Sequence, residues 1–448
     1  MTSFPYIERP RWTCALGGAL AAAGNLPQTV PILHAGPGCA GNFAWTNNGA
    51  AGLAVTGQCL SLSVPSTNLQ ENEVVFGGLD RLSEEIVHTL EIMEGRLFII
   101  LTGCLPEVIG DDVESLVRDF KAKKVPLIHA SVPGFLGDSY LGYEELLKTL
   151  FREVVKPSAA KDPALVNVWG VPPTLDPFWR GNILGLDELL KLLGLRANFF
   201  FGPQATLPGI KNSSKAALNI VVSGLYGRQA AEVFQNIHST PYVLAPLPFG
   251  AGASERFLRL VGRALKIPSR KLSSIIDSAG TAHYTYLEPI VDVYNDMEAQ
   301  RHALVVGDAN YGLALTDFLA EDLGWVPELT VITNDVSSDQ QNQLLDFRRQ
   351  TGGTIPEKLI FEHRASQIKK MAEEIWPASG QKKYYNSRRP IFVAASSLER
   401  TLAADLGAAH LSLSYPVANR AILKRGYTGY SGGLSLTEDV VGACVAGR

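Results

Sequence analysis

Short, unbroken apolar runs alternate along this chain with segments whose apolar residues recur every three or four positions. Val30 to Leu33 is one such run. Leu97 to Leu101 is another; it leads through Thr102-Gly103-Cys104 to a helical pattern over about 111–123 and a strand at 126–128. The same order recurs three more times. Asn219 to Val222 turns at Ser223-Gly224, and the helix after it runs through Phe234 to a strand at 242–244. Ala303 to Asp308 leads into a helix ending near Leu323 and a strand at 329–332. Ile391 to Ala395 precedes a helix to Leu406 and a strand at 411–413. Runs with no alternating polar face predict strands buried on both sides, which is the pattern of parallel sheets covered by helices. The fold class is therefore α/β, with three Rossmann-like domains and mainly parallel sheets.

Pro, Gly and Ser clusters place the boundaries. Residues 1–156 form a first α/β domain ending at Lys156-Pro157-Ser158. Residues 157–300 form a second, with a connecting segment to about 214 that includes Val171-Pro172-Pro173 and the Pro/Gly/Ser-rich stretch 203–214. Residues 301–448 form the third, with an exposed loop expected over 379–389. In open α/β sheets ligands gather at the carboxyl ends of strands. Cys104, Gly224, Asp308 and Ser396 all fall there, and only Cys104 is a strong metal ligand.

Composition changes the picture little. The 448 residues are 46% hydrophobic and 19% charged, enough for several cores and for a large permanent interface. The net charge of −4 and the absence of a Lys/Arg block exclude the electrostatic footprint of nucleic-acid binding. No run approaches the roughly 18 apolar residues of a membrane helix, and the N-terminus does not read as a signal peptide, so the expectation is a soluble cytoplasmic protein. No GxxxxGK[ST] phosphate loop occurs.

The five cysteines, 14, 39, 59, 104 and 444, are odd in number and widely spaced, which argues against a disulfide framework. Cys14 opens a Gly/Ala segment, Cys39 follows the Val30–Leu33 strand in Gly36-Pro37-Gly38-Cys39, and Cys104 follows the Leu97–Leu101 strand. A single cysteine of this kind is more often a packing residue. Three at glycine-rich turns of one α/β domain, where backbone can approach a bulky inorganic group, point to metal or cluster ligation, with zinc left open. Cys59 and Cys444 read as packing residues. His34 reads as a hydrogen-bonding partner of the Cys39 loop. Glu107, Asp111 and Asp112 read as acids at helix N-termini. Phe43, Trp45 and Phe135 read either as shields for the cysteines or as plain core.

These motifs resemble the nitrogenase component 1 family, and within it the β-type subunits. The resemblance rests on Cys14 with its Gly/Ala segment, His34-Ala35-Gly36-Pro37-Gly38-Cys39, Val75-Phe76-Gly77-Gly78 and, most specifically, Thr102-Gly103-Cys104-Leu105-Pro106-Glu107-Val108-Ile109-Gly110-Asp111-Asp112. It extends through Tyr415-Pro416 and the segment 426–433. It implies that Cys14, Cys39 and Cys104 are the β-side ligands of an [8Fe-7S] P-cluster-type cluster shared with an α-type subunit. The unit implied is an α2β2 heterotetramer served by an ATP-dependent [4Fe-4S] reductase homodimer, with the substrate-reducing metallocluster in the α-type partner only. The segment 412–433 lacks the histidine, and 273–286 the cysteine, expected of the α-type chain. Three departures stand out: Cys14-Ala15-Leu16 in place of Cys-Gln-Pro, no long N-terminal extension, and Gly134 where some members carry a ligating serine. The first two are similar to the K-type subunit of nitrogenase-like methylthio-alkane reductases, which cleave C–S bonds reductively, and the third argues against redox-dependent serine ligation. The alternatives are a β subunit of an iron-only or vanadium nitrogenase, or a non-catalytic cofactor-assembly scaffold.

Overall fold

A computed structural model of the chain describes residues 8, 11–53, 64–292, 302–356, 358–377 and 388–446. Cys59 and most of the loop expected over 379–389 lie outside these, as does the side chain of Trp45. Twelve strands among the described residues form three sheets, and every pairing is parallel. The first sheet has the order β1 (Thr29–His34), β2 (Leu97–Thr102), β3 (Leu127–Ser131). The second contains β4 (Asp162–Trp169), β5 (Arg196–Phe199), β6 (Ala216–Val221) and β7 (Tyr242–Leu244), in the order β5-β4-β6-β7. The third contains β8 (His302–Gly307), β9 (Val326–Ile332), β10 (Leu359–Phe361), β11 (Phe392–Ala395) and β12 (Ala409–Ser412), in the order β10-β9-β8-β11-β12. This is the α/β architecture that the apolar runs predict, and β1 and β2 are buried at every position.

The stretch read as a connecting segment up to about 214 carries β4 and β5, half of the second sheet. Its strands lack a plain apolar signature because asparagines interrupt them. Asn167 of β4 lies opposite Asn198 of β5 and Asn219 of β6. The Asn198 amide donates to Asn167 Oδ1 at 2.9 Å, and the Asn167 amide donates to Asn219 Oδ1 at 2.7 Å. Satisfied in this way, buried amides are tolerated where unpaired ones are costly. The third helix read from sequence is also two pieces, an α-helix Ala309–Asp317 continued by a π-helical turn Phe318–Asp322.

In the first unit, α1 (Ala15–Ala23) is buried along its whole length. It lies against α7 (Ser139–Glu153) at backbone contact: a Cβ on Gly18 would sit 1.8 Å from the Ser139 carbonyl oxygen, and one on Gly142 would sit 1.8 Å from that of Ala15. Between them in sequence lie α2 (Pro37–Ala50), α3 (Glu71–Phe76), α4 (Leu79–Ile92), α5 (Cys104–Ile109) and α6 (Val113–Ala122).

Parallel sheets leave a crevice where the strand order reverses, between β4 and β6 and between β8 and β11. The chain fills both. Asn310 from the third unit donates to the carbonyls of Gly170 and Val222, at the ends of β4 and β6. Arg11, from the N-terminal segment, reaches Ser396 immediately after β11. At the carboxyl edge of the first sheet Cys104 is exposed.

A candidate cluster site at three helix N-termini

Cys14, Cys39 and Cys104 each stand at a helix N-terminus on this edge. Cys14 is the residue before α1. Cys39 lies in the first turn of α2, behind Gly36 and Pro37, where a proline fits because its missing N–H has no helical partner anyway. Cys104 is the first residue of α5, two beyond β2. Gly134, in the turn after β3, joins two of them. Its N–H donates to Cys104 Sγ at 3.0 Å, and a Cβ on it would lie 3.1 Å from that sulfur and 3.4 Å from Cys14 Sγ. The two sulfurs thus flank a single residue at which even a Cβ would require them to shift by a few tenths of an ångström.

Cys104 is exposed, and Cys14 and Cys39 are partly buried. The Cys39 thiol is pushed above its ordinary value, first by burial and then by Cys14 and Cys104, so all three share one electrostatic site. Such thiolates repel one another unless cations lie among them. Among the described residues no three His, Cys, Asp or Glu side chains close on a single ion. A donor set of sulfurs alone, spread across an open edge, fits an iron–sulfur cluster whose several irons take one thiolate each. Cβ atoms on Gly38 or Gly41, either side of Cys39, would meet nothing within 4 Å, so these glycines border open space. Val75, Phe76, Val108 and Phe135 are exposed on elements around the site, Phe76 at 85%.

The neighbouring polar residues are structural. His34 is fully buried, with Nδ1 3.2 Å from Thr67 Oγ1 and Nε2 3.0 Å from Asp111 Oδ2, and burial lowers its pKa. It therefore braces the 67–78 segment rather than the Cys39 loop, because its ring projects from the buried end of β1 toward that side. Asp112 caps α6 as expected, accepting from the Ser115 N–H. Asp111 instead turns back to the Gly78 N–H and His34. Glu107 lies in the first turn of α5 and accepts from the hydroxyls of Thr102 and Ser131. Phe43 is buried, whereas Phe135 points outward. Cys444 packs in the core through the terminal helix Gly429–Ala446.

Sequence reading missed the carboxyl behind the site. A cavity of about 550 Å³ opens beside Cys14 and Gly134, with Glu144 and Asp138 in its wall. Glu144 accepts from the N–H groups of Gly227 and Ala230 at the start of the helix Arg228–His238, and burial pushes its carboxyl up to about 7. A folded pKa above the unfolded value means the native state holds the proton more tightly. Stability from this group is then full below about pH 4.5 and is lost as pH rises to about 7. Between pH 5 and 8, wild type is expected to lose on the order of 2 kcal/mol relative to Glu144→Gln, read as converging thermal midpoints. Parallel pH profiles for the two proteins would contradict this.

A Rossmann-type α/β protein with two self-filled crevices and one thiol-lined edge is the class that fold and site define. Residues 14–445 match the family described as Nitrogenase component 1 type Oxidoreductase, and the chain belongs to that family. It is 24% identical to the nitrogenase molybdenum-iron protein beta chain of Methanothermobacter marburgensis over 466 aligned positions, covering 97% of this chain and 93% of that one. It is also 24% identical to the nitrogenase iron-iron protein beta chain of Rhodobacter capsulatus over 355 positions, covering 73% of each. A solved structure titled "Nitrogenase Cp1 at pH 6.5" shares the fold, with a TM-score of 0.77 at 15% identity, covering 100% of this chain and 94% of that one. Among the described residues no helix is long and apolar enough to cross a membrane.

Proposed function

We propose that this chain is the β-type subunit of a nitrogenase-like reductase, and that Cys14, Cys39 and Cys104 hold its side of a P-cluster-type [8Fe-7S] cluster. The observation that carries this reading is the gathering of three thiols from three helix N-termini on the open edge of the first sheet, Cys14 and Cys104 on either side of Gly134 and Cys39 within electrostatic reach of both. Three ligands on an exposed edge make half a cage, so an α-type partner supplies the rest. The exposed Val75, Phe76, Val108 and Phe135 are the surface such a partner would cover. The unit is an α2β2 heterotetramer, served by an ATP-dependent [4Fe-4S] reductase homodimer. The bound cluster supplies a site that accepts and passes on single electrons between that reductase and the partner's metallocluster.

This chain's residues set the conditions for that relay. The Gly134 N–H on Cys104 Sγ stabilises the more electron-rich state of the sulfur and raises the reduction potential. The N-terminal ends of α1, α2 and α5 bring partial positive charge to the thiolates. Gly134→Ala is expected to leave the fold intact, because the sulfurs need shift only a few tenths of an ångström. It is also expected to weaken iron binding and alter the cluster's electron paramagnetic resonance signal. Unchanged iron and spectrum would remove Gly134 from the site.

The substrate we assign is a methylthio-alkane, cleaved reductively at its C–S bond, on the strength of the Cys14-Ala15-Leu16 ligand motif. The test is product analysis of the anaerobically purified complex with its reductase, ATP and reductant, given a methylthio-alkane or dinitrogen separately. Methanethiol without ammonia supports the assignment. Ammonia makes the chain a β subunit of a dinitrogen-reducing enzyme, the reading favoured by the likeness to nitrogenase beta chains. Neither product, from a complex that holds iron, points to an assembly scaffold.

A further inference from the structure

Cys14 is held from its two sides by different units of the chain. After it, α1 is locked to the first unit: the Ala15 N–H donates to the Gly137 carbonyl at 2.9 Å, and Gly18 lies on the Ser139 backbone. Before it, the chain is tied to the third unit. The Arg11 guanidinium is 3% exposed and donates through Nε to the His363 carbonyl at 2.7 Å. Nη1 lies 3.4 Å from Ser396 Oγ and 3.3 Å from Glu399 Oε2, and Nη2 pairs with Glu399 Oε1. Glu399 is itself buried and accepts from Ser396. Trp12 packs edge-on against His363 at 5.4 Å, and Glu8 accepts from the Ser366 N–H at 3.0 Å. Cys39 and Cys104, by contrast, belong wholly to the first unit.

A buried ion pair is a weak source of stability, because desolvation offsets its attraction. What a planar guanidinium does supply is direction, since its fork of donors fixes the orientation of the segment that carries it. That segment ends three residues later at a proposed ligand, and it fills the crevice after β11 where such sheets ordinarily receive a small molecule. We infer that the Arg11–Glu399 pair is a positioning device for Cys14: it docks the N-terminal strap on the third unit and so fixes Cys14 Sγ against Cys104 Sγ. Arg11 and Glu399 are positioning residues that touch no iron. The inference rests on the cluster reading above.

The test compares the anaerobic complex carrying the wild-type chain with Arg11→Lys, Glu399→Gln and Arg348→Lys. Arg348 and Asp317 form an equally buried ion pair, each 2% exposed, between helices that carry none of the three cysteines, which makes Arg348→Lys the control for plain destabilisation. Iron release to a ferrous chelator is timed well below the thermal midpoint, and the midpoints are measured alongside. Arg11→Lys and Glu399→Gln are expected to release iron about tenfold faster, the scale on which supporting residues act on metal sites. They should also change the cluster's resonance line shape, while Arg348→Lys does neither at a comparable loss of midpoint. Should the single variants fail to assemble, Arg11→Met/Glu399→Leu leaves no charge unpaired and is expected to fold with the same faster release. Wild-type release from the Arg11 and Glu399 variants, or equal acceleration by Arg348→Lys, overturns the inference and leaves the function standing. A wild-type complex without an iron–sulfur cluster overturns both.

Discussion

Cys104→Ala is expected to strip the cluster from the assembled complex and abolish electron delivery, while the chain keeps its secondary structure. The side chain is exposed and contributes little to the core, so its loss removes a ligand at almost no cost in packing. Its sulfur accepts from Gly134, and that N–H would turn to water on the open edge. Iron quantitation and far-ultraviolet circular dichroism read the two effects separately. Cys444→Ala is the matched contrast: it opens a small cavity in the core at a cost of about 1 kcal/mol and leaves the iron unchanged. Full iron and full turnover in Cys104→Ala would end the ligand assignment. Loss of iron in Cys444→Ala without loss of stability would place the cluster elsewhere.

The second large effect is expected from a single methyl group. Gly142→Ala puts a Cβ 1.8 Å from the Ala15 carbonyl oxygen and 2.6 Å from its carbon, in the middle of the α1–α7 contact. Helix propensity alone favours the substitution by about 1 kcal/mol. Overpacking against a backbone that cannot move aside costs about 3 kcal/mol or more, so packing wins and the net change is destabilising by about 2 kcal/mol. Because α1 begins directly after Cys14, the displaced helix should carry that thiol with it, and iron content should fall together with the thermal midpoint. Gly280→Ala tests the balance in the other direction. Gly280 is also inside a helix, Ser269–Leu287, yet a Cβ there meets nothing within 4 Å, so the propensity gain stands unopposed. A stable Gly142→Ala protein with full iron would mean that α1 and α7 are not in backbone contact.

Why these two glycines matter could not be read from the chain. Gly18 and Gly142 sit inside helical patterns, where glycine looks like a local weakness of the helix. The reason for each is an atom of the other helix, more than 100 residues away in sequence. Arg11 is a similar case. A lone arginine near the N-terminus has no local pattern, and its partner Glu399 lies 388 positions on. Strands β4 and β5 escaped for a different reason. Asn167, Asn198 and Asn219 are bonded across the sheet beside buried Val166, Val168 and Phe199, and amides in a strand mimic the polarity of a loop. Asp111 was misplaced because a helix-start acid and an acid that turns back to a buried histidine have the same local sequence.

What the sequence determines by itself is whatever depends on neighbours a few residues apart. Apolar runs with no polar face require burial on both sides, hence parallel sheets and helical crossovers, and β1, β2, β3, β6, β8, β9 and β11 all follow from that. Cysteines at strand-to-helix turns with flanking glycine are local too, so Cys39 and Cys104 stand out as candidates before any coordinates are known. Tertiary structure alone decides what depends on distance through space. It brings Cys14 beside Cys104 across Gly134, fills the crevices of the second and third sheets with Asn310 and Arg11, and leaves the carboxyl edge of the first sheet open. Covalent order constrains the first kind of fact directly. The second arises only when the cores close and pack segments with no covalent proximity against one another.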